Sequence, residues 1–167
     1  MKREAPSPSK EAAIDRCHRL ACVMACGRET VVQTAAQLTA GLTVTPLQPA
    51  EAGLALLKWC DSVLRQPFYL GEVPMARAAV ALIDHRGRRA EGGAVVMADD
   101  AELAQALAVL DAIAAQRWPG AEAVDALVQQ GAQARENRRA IRQAMLQRTR
   151  VDFSLLCEAD IGPEPHS

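Results

Sequence analysis

The sequence predicts an α+β fold made of an N-terminal helical hairpin, an antiparallel sheet of about four strands and two C-terminal helices. Three observations carry that expectation. Between Phe68 and Asp100 an alternating apolar segment, a polar turn and a second apolar segment read as strand, hairpin turn and strand. Apolar residues at helical spacing flank this stretch on both sides. No helix-length segment separates the expected strands, so the short connections argue for an antiparallel meander over a parallel sheet.

In chain order, Ser9 after Pro8 can cap a first helix in which Ala13, Cys17, Leu20 and Met24 share one face, with Gly27 as its stop. A second helix is expected from about residue 29 to residue 40, with Val31, Ala35 and Leu38 on its apolar side. Strands are expected near 42–48, 53–60, 68–83 and 90–97. Pro46 and Pro49 confine the first to a sheet edge or a loop. The second hairpin turns at Asp84-His85-Arg86-Gly87-Arg88, where the aspartate can hydrogen-bond the turn backbone. Asp99 or Asp100 opens the third helix, Asp99 and Glu102 resembling a capping box, and Leu103, Leu107, Leu110 and Ala114 share its face. Pro119-Gly120 ends it, and a last helix runs from about 122 to 149, with a bend expected at Gly131.

The 167 residues, half of them hydrophobic, fit one domain over residues 9–158, with disordered ends at 1–8 and 159–167. Nineteen basic against twenty acidic residues leave a net charge of -1, which gives no global field for nucleic acid or an anionic membrane. The longest apolar run, Leu20 to Cys26, is too short to span a bilayer, and residues 1–10 lack the apolar core of a secretory signal. A cytoplasmic location is expected. Five cysteines without paired spacing argue for reduced thiols.

Motifs for catalysis are missing: there is no GxSxG, HExxH, CxxC or Gly-rich phosphate loop. His18, Cys22 and Cys26 recur at i, i+4 and i+8. At 1.5 Å rise per residue the outer two stand about 12 Å apart, too far to share one zinc ion, and no metal is expected. Arg135, Arg138, Arg139 and Arg142 form a basic stripe at i, i+3, i+4 and i+7 beside Ala134, Ile141 and Met145. Such a stripe serves as a solvated face, a protein-partner contact, or a phosphate or nucleic-acid contact. Leu146 within it favours a protein partner over a nucleic acid. Glu72 and Arg77 flank Pro74 in an otherwise apolar strand. Charges there are costly to bury unless paired, so pairing with each other or with another subunit is expected ahead of substrate contact.

Phe68-Tyr69-Leu70-Gly71-Glu72-Val73, Arg77-Ala78-Ala79-Val80-Ala81-Leu82, Ala101-Glu102, Leu110-Asp111-Ala112 and Arg150-Val151-Asp152-Phe153 occur in this order, with Glu51-Ala52-Gly53-Leu54 upstream. Together they resemble the G subunit of the bacterial carbon-phosphorus lyase system over residues 14–158. Two departures stand out. The chain has Asp61-Ser62-Val63-Leu64-Arg65-Gln66 where that family carries a Gly-rich loop, and Ser154-Leu155 where it has a second Phe and Thr. The resemblance implies a cytoplasmic subunit that works with the H, I, J and L subunits, chiefly the I subunit. It implies transfer of a phosphonate to ribose C1 of ATP with release of adenine, ATP and phosphonate being substrates of the complex. Catalytic groups are then expected on a partner, with no cofactor in this subunit. Contact candidates are Glu72, Arg77, the four stripe arginines, and Arg150, Asp152 and Phe153 in an apolar tail. The alternative is a small nucleic-acid-binding or regulatory α+β protein using the Arg135 to Arg142 stripe.

Overall fold

The computed structural model of the chain describes residues 14–148, so the expected terminal segments, Ser9, and Arg150, Asp152 and Phe153 lie outside the described residues. The elements follow the order α1 (Arg16–Met24), α2 (Arg28–Leu38), β1 (Thr43–Cys60), β2 (Pro67–Ile83), β3 (Arg89–Val96), α3 (Ala101–Ala115) and α4 (Ala121–Arg148). The chain divides into two units, one ending at Ala134 and the other beginning at Arg135. The fold is α+β.

The sheet has three strands in the order β1-β2-β3, all antiparallel, rather than about four. The segments expected as separate strands at 42–48 and 53–60 are one 18-residue strand. Its register shifts between Pro46 and Gln48 and again between Gln48 and Glu51, so the prolines produce irregularities instead of a break. β1 is an edge strand, where a residue lacking an amide proton is tolerated.

Strand alternation selects the buried face. On β3, Ala90, Gly92, Ala94 and Val96 point inward while Arg89, Glu91, Gly93 and Val95 point outward. On β2, Ala76, Ala78, Val80 and Leu82 are buried. α3 packs on this face against both strands. Its expected apolar face is buried, and so is nearly every other side, because α2 packs on it as well. A Cβ built on Gly92 would lie 2.3 Å from the Ala108 carbonyl oxygen and the Ala112 amide nitrogen. The α3 backbone therefore rests directly on β3. At Gly131 of α4 a Cβ would lie 1.8 Å from the Cys22 carbonyl oxygen, so α1 and α4 also meet at backbone distance. This contact turns Cys22 and Val23 of α1 inward, leaves Cys17 exposed and Leu20 and Met24 half-buried, and so shifts the buried face from the one expected. α2 keeps its expected face, with Val31 and Ala35 buried and Leu38 half-buried.

Polar groups close the ends of these elements. Asp84 Oδ1 accepts from the Arg86 and Arg88 amides at 2.9 Å each, and the Arg88 guanidinium donates to Oδ2 at 2.7 Å. Burial by itself pushes the Asp84 carboxyl up, but these hydrogen bonds more than offset it and hold it below the usual carboxylate range. Arg88 also lies 5.7 Å from the centre of the Trp118 ring, which ties the turn to the α3–α4 connection. The α3 N-cap is Asp100, whose carboxylate accepts from the Leu103 amide at 2.9 Å. Glu102 pairs instead with Arg28, which also donates to Asp100 at 2.6 Å.

Gly92→Ala is expected to lower unfolding stability by about 1–3 kcal/mol, because backbone must move to admit the methyl group. Gly93→Ala is the control, since its nearest Cβ neighbour would lie at 3.6 Å. Urea titration of both variants checks this. The Arg28 guanidinium and the Leu103 amide hold Asp100 below its ordinary pKa. Its contribution is thus full above the unfolded carboxylate value of about 4 and lost as pH falls through the lower folded value. Asp100→Asn retains a cap acceptor but cannot ionise, so its stability should fall less steeply than wild type between about pH 5 and pH 2.

Candidate functional site

β3 pairs only with the stretch of β2 from Ala76 to Ile83. Residues 53–60 of β1 and 67–75 of β2 pair only with each other and form a two-stranded arm. Along the arm neither strand face is buried. Nine of the fifteen exposed large hydrophobic side chains among the described residues lie between Leu54 and Leu70. Leu54 is 68% exposed, Trp59 56% and Tyr69 63%. An isolated two-stranded ribbon is marginal in water, and an apolar one with unpaired edges is a ready surface for another chain.

Local features set the arm's geometry. Leu57 pairs with Gly71 but Lys58 pairs with Tyr69, so Leu70 is the extra residue of a bulge. Gly71 sits there at φ 146, a conformation that side-chain-bearing residues rarely adopt. Beyond the bulge Trp59 stands opposite Phe68, which places two aromatic rings side by side on one face near the tip. The tip itself is a structured turn. Asp61 accepts from the amides of Val63 and Leu64 at 3.0 Å each, and these bonds hold its carboxyl below the usual range. The Asp61 to Gln66 segment is thus tied by its own aspartate, with Val63 and Leu64 pointing into solvent.

At the arm's base a hollow of about 350 Å³ is lined by Glu51, Leu54, Met75, Arg77 and Val95, among others. Its charged members neutralise each other, Arg77 donating to Glu51 across the strands at 3.0 Å. The charge partner of Arg77 is therefore Glu51. Glu72 is exposed and five residues along β2, about 16 Å at strand rise, so the expected Glu72–Arg77 pairing does not form. Arg135, Arg138, Arg139 and Arg142 all lie on α4 and are exposed, as are Ile141, Met145 and Leu146.

Neither cysteine spaced with His18 faces it: Cys22 is buried, and the Cys26 thiol donates to the Leu127 carbonyl at 3.2 Å. Asp15, Cys17 and His18 do converge, their ligand atoms all within 4.8 Å of one another. The hydrogen bond from Cys17 lowers the Asp15 pKa and raises that of the thiol. Helical spacing missed this trio because Asp15 precedes the helix and follows no 3.6-residue periodicity. The arm was missed for another reason: an apolar run such as Leu54-Ala-Leu-Leu reads as buried unless something outside the segment shows that no layer covers it.

The family model described as Phosphonate metabolism protein PhnG matches residues 14–158. The chain belongs to this family. Its role accordingly lies in phosphonate metabolism. No curated protein matches the chain. The PhnG-family match spans the whole arm and the stripe, and among the described residues no helix is long and apolar enough to cross a membrane.

Arg77 and Glu51 are more than half exposed, and exposed pairs contribute little. Arg77→Ala is expected to leave unfolding stability within about 0.5 kcal/mol of wild type in a urea titration. A larger loss would mean that the arm's base is held by this pair.

Proposed function

We propose that the chain is a subunit of a bacterial carbon-phosphorus lyase core complex, supporting the transfer of a phosphonate to ribose C1 of ATP with release of adenine. The catalytic groups belong to a partner, and this subunit's task is assembly. It works with the H, I, J and L subunits, chiefly the I subunit, in the cytoplasm. Family membership supports the metabolic setting. The observation that carries the assembly role is the arm, whose apolar side chains find no cover within the described residues. Aromatic and leucine side chains grouped on one projection have the composition of an interface centre. The exposed arginines and the apolar Ile141, Met145 and Leu146 on α4 offer a second surface of mixed character, and the Arg150 to Leu156 tail follows it in sequence.

Co-expression with the H, I, J and L subunits tests this reading. The isolated chain should release no adenine from ATP and methylphosphonate, and the co-purified assembly should. Leu54→Ser with Leu56→Ser removes apolar surface from one arm face without touching the Trp59–Phe68 pair. Burying each leucine contributes about 1.5–3 kcal/mol, so recovery of the complex should fall at least tenfold at limiting subunit concentration. The circular dichroism of the isolated variant should match wild type. Turnover by the isolated chain, or full occupancy of the double variant in the complex, would overturn the proposal.

A further inference from the structure

We propose that Asp15, Cys17 and His18 form a binding site for one divalent transition-metal ion of the zinc class. The proposal is independent of the assembly role and revises the expectation that this chain holds neither metal nor cofactor.

The donor set is the first argument. A carboxylate, a thiol and an imidazole are the three side-chain types that bind zinc, and a mixed set with sulfur and nitrogen selects against magnesium and calcium. Geometry is the second. Cys17 Sγ lies 3.0 Å from Asp15 Oδ2 and 3.1 Å from His18 Nδ1. Ligand atoms on a tetrahedral ion with bonds of about 2.0–2.3 Å stand roughly 3.3–3.8 Å apart, so the trio needs to open by only a few tenths of an ångström. Binding replaces the Cys17 S–H proton with the ion and releases that proton to solvent. No electron is transferred.

The backbone explains why consecutive residues can converge. Side chains at i and i+1 of a helix do not face each other. Asp15, however, is the N-cap of α1, with φ -58 and ψ 146, and its direction is not set by the helix. An N-cap aspartate ordinarily accepts a hydrogen bond from an amide of its own first turn. Asp15 makes no such cap bond, and its carboxylate turns to the thiol.

Access is the third argument. All three residues are exposed, so an ion arrives without local unfolding. Asp15 and Cys17 also border a hollow of about 560 Å³ shared with Arg16, Leu20, Gly93 and Asp111. Asp111 is taken up by Arg16 at 2.7 Å and by the Gly93 amide at 3.2 Å, so it does not compete as a ligand. The hollow leaves room for a fourth ligand, water or a group from another molecule, as in zinc sites with three protein ligands.

Cobalt(II) serves as the probe, added to the full chain carrying Cys60→Ser and Cys157→Ser to remove the other cysteines outside α1 and its C-terminal turn. The titration should saturate at one equivalent with a thiolate-to-cobalt charge-transfer band in the near ultraviolet, and zinc should displace it. Adding Cys17→Ser should abolish the band. His18→Ala or Asp15→Ala should each weaken binding by more than the roughly tenfold that loss of an outer-shell partner costs. His85→Ala should change nothing, and unchanged circular dichroism confirms that each variant is folded. A missing band in the Cys60 and Cys157 background, or a band that survives Cys17→Ser, would overturn the site.

Discussion

The contact on which the first unit depends is that between the α3 backbone and Gly92 of β3, with no side chain between them. A helix can approach a sheet this closely only where the strand offers hydrogen and the helix offers small residues, and here Ala104, Ala108 and Ala112 line α3 at four-residue intervals. The approach buries α3 on nearly every side, which makes an alanine-rich helix an effective core element despite its small side chains. It also buries one carboxylate, Asp111. That charge is held by two guanidinium nitrogens of Arg16, at 3.0 and 2.7 Å, and by the Gly93 amide, so α1, β3 and α3 meet at a single ionised group.

The same strands have two different environments. Where α3 lies on β2, residues such as Ala78, Val80 and Leu82 are small or branched and buried. Where β1 and β2 run beyond β3, they carry leucines and aromatic rings into solvent. Larger side chains appear where the unit has no layer of its own to cover them, the reverse of what a self-sufficient domain requires. The bulge at Gly71 and the aspartate-tied tip give the arm a defined shape before any partner arrives, which lowers the ordering cost of association.

Much of the fold was legible in the sequence because its signals are local. The Asp84 turn, the α3 cap region and the helix stop at Pro119-Gly120 each depend on chemistry within a few residues. Strand number was not. Pro46 and Pro49 read as a break because proline cannot continue a ladder, yet on an edge strand the chain absorbs them as register shifts. The buried face of α1 was missed because Cys22 turns inward toward Gly131, more than one hundred residues away.

By itself the sequence determined the element types, the antiparallel connectivity, the absence of familiar catalytic motifs and the family, all of which rest on spacing along the chain. The tertiary structure decided which apolar residues are core and which are surface. Leu54 and Leu82 are the same residue type in strands of similar pattern, one largely exposed and the other fully buried, because α3 covers one and not the other. It also decided charge partners, giving Arg77 to Glu51 and Arg16 to Asp111, since ion pairing follows distance in space and these residues are 26 and 95 positions apart. Hydrophobic periodicity states that a face wants cover; only packing states whether the chain supplies it.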